Sequence, residues 1–339
     1  MEINTLDLSH LEEAELVLAD ACAFDRATEV AEEKLFGAAP VALPPGPALA
    51  GAASPSAPPA ATPAVWDPAR TLPAHAFGAW DGGALVGVAS VSARWLRVIA
   101  VVPRARRRGA GKALLAACEE AARAGGEKRM RVLDQPGNYL APGVDERNTD
   151  TISWLERRGF ARAGEARENV LVDVRGNARV SAERAAELAA KAAARGYEVR
   201  RARPDERALL DAAAADFGGA WPFELARALG DDPRASSDAA PPASGPRPSG
   251  VHVAIKDGAY CAFAAHDGNN RGLGWFGPTG TWPAHRGHGL GEALLLACLV
   301  DVAAEHGRCE VAWIGPRPFY DKAAGIIADR RFVPLAKDL

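Results

Sequence analysis

The sequence predicts an α/β protein made of two consecutive, similar domains, each built on a mixed sheet. Three observations carry that prediction. A chain of 339 residues has room for two domains of ordinary size, roughly 100–200 residues each. In each half, three apolar strand-like runs precede a Gly-rich turn, a helix and a further strand, the order that builds a mixed sheet. Finally, Pro103–Cys118 (PRARRRGAGKALLAAC) and Pro283–Cys298 (PAHRGHGLGEALLLAC) share nine of sixteen positions at a constant offset of 180. Unrelated segments of this composition would share roughly one or two. The period is a whole domain, so the repeat is an internal duplication and not a solenoid.

In the first half the strand runs are Ala74–Trp80, Ala84–Ala93 and Leu96–Val102, with Asp81-Gly82-Gly83 as the turn between the first two. A helix over Lys112–Ala124 and a strand at Met130–Leu133 follow, then another helix and a closing strand pair. The second half repeats the order with Val251–Lys256, Ala259–Ala265 and Leu273–Thr281, the turn Asp257-Gly258, a helix over Glu292–His306 and a strand at Cys309–Ile314. Between them Ser181–Arg195, rich in Ala, Glu, Lys and Arg and stopped by Gly196, predicts a connecting helix. Residues 1–175, 176–196 and 197–339 are thus expected as first domain, connector and second domain. Two Pro-rich stretches, 40–68 and 231–250, show neither helical nor strand periodicity and are expected as long mobile loops.

Composition narrows the function. The chain is 48% hydrophobic and 24% charged with a net charge of −3, which offers no special field to a nucleic-acid backbone. Five cysteines (Cys22, Cys118, Cys261, Cys298, Cys309) form no C-x-x-C, and an odd number argues against a disulfide framework. No apolar run approaches the roughly 20 residues of a membrane span. The start, Met1-Glu2-Ile3-Asn4, lacks the basic region of a secretory signal. A cytoplasmic location with reduced thiols is expected.

Within the repeat lies Arg-x-x-Gly-x-Gly, as Arg106–Gly111 and Arg286–Gly291. The pattern alone is weak, but here it lies between strand and helix, follows Pro by three residues, precedes Ala-Leu-Leu and occurs twice. Glycine lets backbone approach a ligand closely, and the first helical turn presents unpaired N–H groups. A diphosphate suits such a site; a tight turn without a ligand is the alternative. Arg104, Arg106, Arg107, Arg108 and Lys112 add positive charge in the first half. The second has Arg286 and His288, with Glu292 opposing them. A nucleotide P-loop would need a hydroxyl after Gly111-Lys112, where Ala113 stands. A dinucleotide fingerprint is missing from both halves.

In this context the chain resembles the GNAT superfamily of acyl-CoA-dependent N-acyltransferases, whose phosphate loop reads [Arg/Gln]-x-x-Gly-x-[Gly/Ala] after the fourth strand. The likeness covers most of both halves, apart from the Pro-rich stretches and the connecting helix. It continues through Asn148-Thr-Asp-Thr-Ile-Ser-Trp-Leu-Glu-Arg-Arg-Gly-Phe160, similar to the family's Asn-x-x-Ala-x-x-x-Tyr-x-x-x-Gly-Phe helix, with Leu155 where Tyr often stands. In the second half Phe319-Tyr320-Asp321-Lys322 keeps the Tyr, while Trp313 takes the Asn position and Gly325 arrives one residue late.

The resemblance implies two tandem GNAT-like domains, each a mixed, mostly antiparallel sheet flanked by helices. It implies acetyl-CoA as cosubstrate, and no metal. The groups implied to hold it are Val101, Val102, Arg106, Arg107, Arg108, Gly109, Ala110, Gly111, Lys112 and Asn148 in the first half. In the second they are Thr279, Gly280, Thr281, Arg286, Gly287, His288, Gly289, Leu290 and Gly291. Pantetheine would pair with the backbone of Ile99–Val102 or Gly277–Thr281, between splayed fourth and fifth strands. A backbone N–H would polarise the thioester, a neutral amine would attack directly, and Tyr320 would protonate the departing thiolate.

Neither fourth strand carries a carboxylate to serve as base. Asp216, Glu224, His285, His288, Tyr139 and Asp145 are weaker candidates, better read as surface, anion-contact or helix-end groups; Cys118 and Cys298 suit small core positions. The function expected is N-acetylation of a primary amine on a small molecule, with the second half catalytic. The alternative is a non-catalytic acyl-CoA-binding sensor or scaffold. No nucleic-acid or membrane partner is expected, and the assembly expected is a monomer or homodimer.

Overall fold

Short turns set the ladders. Gly82 and Gly83 (φ +60° and +82°), and Asp257 and Gly258 (φ +51° and +78°), are paired left-handed residues, the two-residue hairpin geometry that matches strand twist. They join strands His75–Asp81 to Ala84–Ser92 and Val251–Lys256 to Ala259–His266. The computed structural model describes residues 1–48, 67–230 and 249–339. The greater parts of both Pro-rich stretches, 49–66 and 231–248, lie outside the described residues.

The chain forms two compact units. The first comprises 1–40, 71–169 and 330–339; the second comprises 41–70 and 170–329. This partition differs from a simple succession of 1–175, 176–196 and 197–339. The connecting helix belongs to the second unit and the last ten residues to the first.

In the first unit the sheet runs in the order Glu2–Thr5, His75–Asp81, Ala84–Ser92, Trp95–Val101, Arg129–Val132, Leu335–Asp338, Ala161–Arg162. All neighbours are antiparallel except Trp95–Val101 with Arg129–Val132. Its helices are α1 (Leu11–Ala21), α2 (Ala31–Leu35), α3 (Ala110–Ala124) and α4 (Thr149–Glu156). In the second unit the order is Glu198–Arg201, Val251–Lys256, Ala259–His266, Trp275–Thr281, Arg308–Val311, then 170–173 from the strand Arg167–Asp173. Its helices are α5 (Ala182–Ala193), α6 (Arg207–Asp216), α7 (Trp221–Leu229), α8 (Leu290–Glu305) and α9 (Arg317–Ala324). The mixed, mostly antiparallel α/β architecture is therefore present in both units.

Each unit is completed by a strand from the other half of the sequence. Leu335–Asp338 fills the slot between Arg129–Val132 and Ala161–Arg162, and Leu335 is wholly buried there. Residues 170–173 pair with Arg308–Val311, burying Val170 and Val172. Residues 170–173 alternate buried and half-buried side chains and Leu335–Asp338 buries only its first two residues; neither pattern carries an address for its partner.

Parts of the first Pro-rich stretch are structured. Ala39–Pro40 pairs with Thr71–Leu72 in the first unit, and Leu43–Pro45 pairs with Gly218–Gly219 in the second. A side chain at Gly218 would meet the Pro44 carbonyl oxygen at 2.0 Å, so only glycine admits this approach. In the second unit, α5 and α8 pack Ala192, Tyr197, Leu294, Leu295 and Leu299 with Tyr320, while α6 and α7 bury Phe217 against Phe263. Among the described residues no helix is long and apolar enough to cross a membrane.

Candidate acyl-CoA site

The two repeat segments fold alike. Each third strand of the hairpin series ends in a 3-10 turn, Pro103–Ala105 or Pro283–His285, and a helix begins after a left-handed glycine. Gly109 (φ +95°) and Gly289 (φ +82°) occupy the N-cap positions of α3 and α8. Two residues earlier Arg107 (φ +61°) and Gly287 (φ +78°) are also left-handed. Two left-handed residues with a single residue between them bend the backbone tightly ahead of each helix, and the helix N-terminus beyond presents N–H groups suited to an anion. Among the described residues the N–H groups of Arg108, Gly109, His288 and Gly289 make no backbone hydrogen bond. A Cβ at Gly109, Gly287 or Gly289 would meet nothing within 4 Å. Space lies over both loops, and their residues fit a diphosphate.

The motif arginines do another task. Arg106 Nε donates to the Val101 carbonyl at 3.0 Å and its Nη2 to Ala21 at 3.2 Å. Arg286 does the same to Thr281 at 3.1 Å and Ala48 at 3.0 Å. Each guanidinium thus ties a strand end to a neighbouring segment. Arg108 is paired with Asp81 at 2.6 Å, while Arg107 and Lys112 are exposed. Beyond the first loop, Asn148 stands half-buried ahead of α4 with no cap bond from its side chain.

A cleft opens beside each loop at the same repeat position. Trp95 and Leu96 pair with Arg131 and Val132, Leu133 N–H reaches the Leu96 carbonyl at 2.8 Å, and pairing then stops. Trp275 and Phe276 pair with Glu310 and Val311, Ala312 N–H reaches the Phe276 carbonyl at 3.3 Å, and pairing again stops. Leu96 and Phe276 are 180 apart. Among the described residues, 97–101 and 277–281 therefore have no strand partner on one backbone edge. Thr279 Oγ1 donates back to the Phe263 carbonyl at 3.1 Å, and Gly280 is required because a Cβ would lie 2.8 Å from the Phe217 ring.

The helices below the clefts also correspond. Trp154 of α4 lies against Gly111, and Phe319 of α9 against Gly291. The next residues are Leu155, wholly buried, and Tyr320, 6% exposed. Tyr320 packs edge-on to Phe319 and Phe276, with ring centroids 5.0 and 6.5 Å away. Burial pushes its phenol up to about 12, so it holds its proton at neutral pH. Among the described residues its hydroxyl makes no hydrogen bond.

Other candidates fall elsewhere. Asp216 accepts the Trp282 indole N–H at 2.6 Å, and Glu224 is buried. Tyr139 is buried, and Asp145 is gripped by Arg147 and Arg330 at 2.6 and 3.1 Å. Burial raises the Asp145 carboxyl, but the hydrogen bonds from Arg147 and Arg330 outweigh it and hold the group low. Asp145 is thus an ion-pair member and not a base. Cys118 and Cys298 are wholly buried core thiols, raised by desolvation.

Sequence reasoning missed a buried polar network in the first unit. Arg97, the first residue past the divergence, donates to the carbonyls of Glu33 and Gly37, both at 2.6 Å. Lys34, wholly buried, reaches Glu33 at 2.6 Å and Asn138 Oδ1 at 2.9 Å. Asn138 follows the Arg129–Val132 strand, so the α2 turn is stitched to both walls of the first cleft. Arg97 inside an apolar strand run was the available signal.

Residues 49–160 match the profile of the acetyltransferase (GNAT) family. No curated protein matches the chain. A tandem GNAT protein from the clavulanic acid biosynthesis pathway is similar in fold, at TM-score 0.57 and 20% identity over 99% of this chain and 98% of that one. A fungal multi-domain β-N-acetylglucosaminidase with a GCN5-related glucosamine N-acetyltransferase region gives TM-score 0.65 at 13% identity, over 99% of this chain. This chain spans 38% of that larger one. A GCN5-related N-acetyltransferase from Sphaerobacter thermophilus gives 0.50 at 18% identity, over 78% and 80% of the two chains.

Proposed function

We propose, for a chain whose residues 49–160 match the acetyltransferase (GNAT) profile and whose fold is similar to that of a tandem GNAT protein, N-acetylation of a small-molecule primary amine, performed by the second unit. Acetyl-CoA, as cosubstrate, would supply the activated acetyl group. The N–H groups of Gly287–Gly291 would hold its diphosphate, aided by the α8 dipole. The unpaired edge at 277–281 would accept the pantetheine amides and offer an N–H to the thioester carbonyl. Tyr320 would pass its proton to the sulfur as the C–S bond breaks.

The observation that carries this reading is the buried Tyr320 of α9, packed beside Phe276 and Phe319, whose hydroxyl makes no hydrogen bond among the described residues. The first unit has Leu155 at that position, which has no proton to give. Just past the first divergence, Arg97 joins a buried network with Glu33, Lys34 and Asn138, for which the second unit has no counterpart at Gly277. The first loop has the richer positive charge, which supports CoA binding there without turnover. A non-catalytic acyl-CoA sensor or scaffold is the second reading, favoured by the absence of a carboxylate from both fourth strands. The deciding experiment is thiol release from acetyl-CoA across a panel of primary amines, with and without the protein. Protein-dependent release with any amine supports the transferase; none across the panel, with CoA still bound, supports the sensor.

A further inference from the structure

The second phosphate loop carries an adverse charge. Under the offset of 180, Lys112 of the first loop corresponds to Glu292 of the second. Both lie in the first turn of their helices, α3 and α8. A carboxylate at this end favours the helix dipole but repels an arriving diphosphate. Glu292 is not isolated. Arg184 of α5 places Nη2 at 2.5 Å from its Oε1, with each side chain 27% exposed.

Arg184 is itself held in place. Its Nη1 donates to the carbonyls of Arg179 and Ala323 at 2.7 and 2.8 Å. At the other end of the same segment, Arg195 donates to the His288 carbonyl at 3.0 Å, inside the loop. The Tyr197 hydroxyl lies 3.2 Å from His285 Nδ1. The segment expected as a plain connector thus touches the second loop and its helix at two places, through Arg184 and Arg195, and Tyr197 just beyond it adds a third.

The geometry points to Arg184 as a positioning residue for acyl-CoA binding at the second loop: it cancels the Glu292 charge, so that α5 completes this anion site. The inference rests on the second loop being a CoA site and adds to it the origin of its charge balance. A fixed guanidinium is already desolvated and oriented, so little ordering remains to be done on binding.

The test is titration calorimetry of coenzyme A into the full chain carrying Gly109→Val, which closes the first loop. Arg184→Ala is expected to weaken binding roughly 5–20-fold at low salt, a penalty that shrinks in about 1 M salt. Glu292→Gln is expected to tighten binding, and the double variant to return within about twofold of its parent. A purely structural arginine would give the same loss with or without the Glu292 carboxylate, and that result overturns the inference. Should Arg184→Ala fail to fold, Arg184→Gln takes its place in the same cycle with Glu292→Gln, and a loss that is the same with or without the Glu292 carboxylate again overturns the inference. If the Gly109→Val parent binds no coenzyme A, the second loop is not a CoA site, and both readings fall together.

Discussion

Tyr320 joins two properties that seldom coincide, a buried ring and a hydroxyl that makes no hydrogen bond among the described residues. If the hydroxyl is the acid, Tyr320→Phe should lower kcat by roughly 10²–10⁴-fold in the thiol-release assay while the melting temperature moves little. A loss of stability with unchanged turnover would mark the ring as packing alone. A second residue-scale prediction concerns His266, which faces Asp267 at 3.0 Å and Asp301 at 3.4 Å. His252 and Arg201 also bear on Asp301, at 2.7 and 2.6 Å. Burial would lower the His266 imidazole, but its hydrogen bonds to the two carboxylates push it up to about 9. The folded value lies above the unfolded one. Its contribution, roughly 2–3 kcal/mol, is therefore complete below about pH 6.5 and lost as pH rises through 9. Denaturant melts should show stability falling between pH 6.5 and 9, and His266→Gln should flatten that slope.

At the scale of elements, the two Gly-rich loops depend on glycines whose backbone no β-branched residue readily adopts. Gly109→Val or Gly289→Val should each remove one molar equivalent of bound CoA in calorimetry, at a stability cost of about 1–3 kcal/mol. Loss of both sites from one substitution would exclude independent loops. These loops were legible in the sequence because glycine spacing encodes a turn directly. Both helices nevertheless start two residues before the expected Lys112 and Glu292, since Gly109 and Gly289 are themselves the N-caps. The task of Arg106 and Arg286 was not legible: a guanidinium serves an anion or a carbonyl equally well, and only the fold says which is nearer. Lys34 was hidden for a related reason, because its partner Asn138 lies 104 residues away.

At the scale of the whole molecule, the sequence repeat announced two copies of one architecture, and the structure contains both. It did not announce that the closing strands change places. Strand character depends on local alternation, whereas the choice between two similar slots depends on connections and register that local pattern does not record. A truncation removing 335–339 should therefore harm the first unit, although the residues end the second half of the sequence. Loss of the buried Leu335 alone is worth about 2–5 kcal/mol. Amide exchange should accelerate at 129–132, the strand it pairs with, and unchanged protection there would refute the dependence.

This exchange also bears on the history open to such a gene. After an ordinary duplication, either copy can be lost, or the two can part into separate proteins. Here a cut between the halves would leave each fragment with a foreign strand and an empty groove. The fragments could regain their folds only by finding one another. Duplication has become an obligation, and a half that ceased to catalyse would still be kept for the strand it lends.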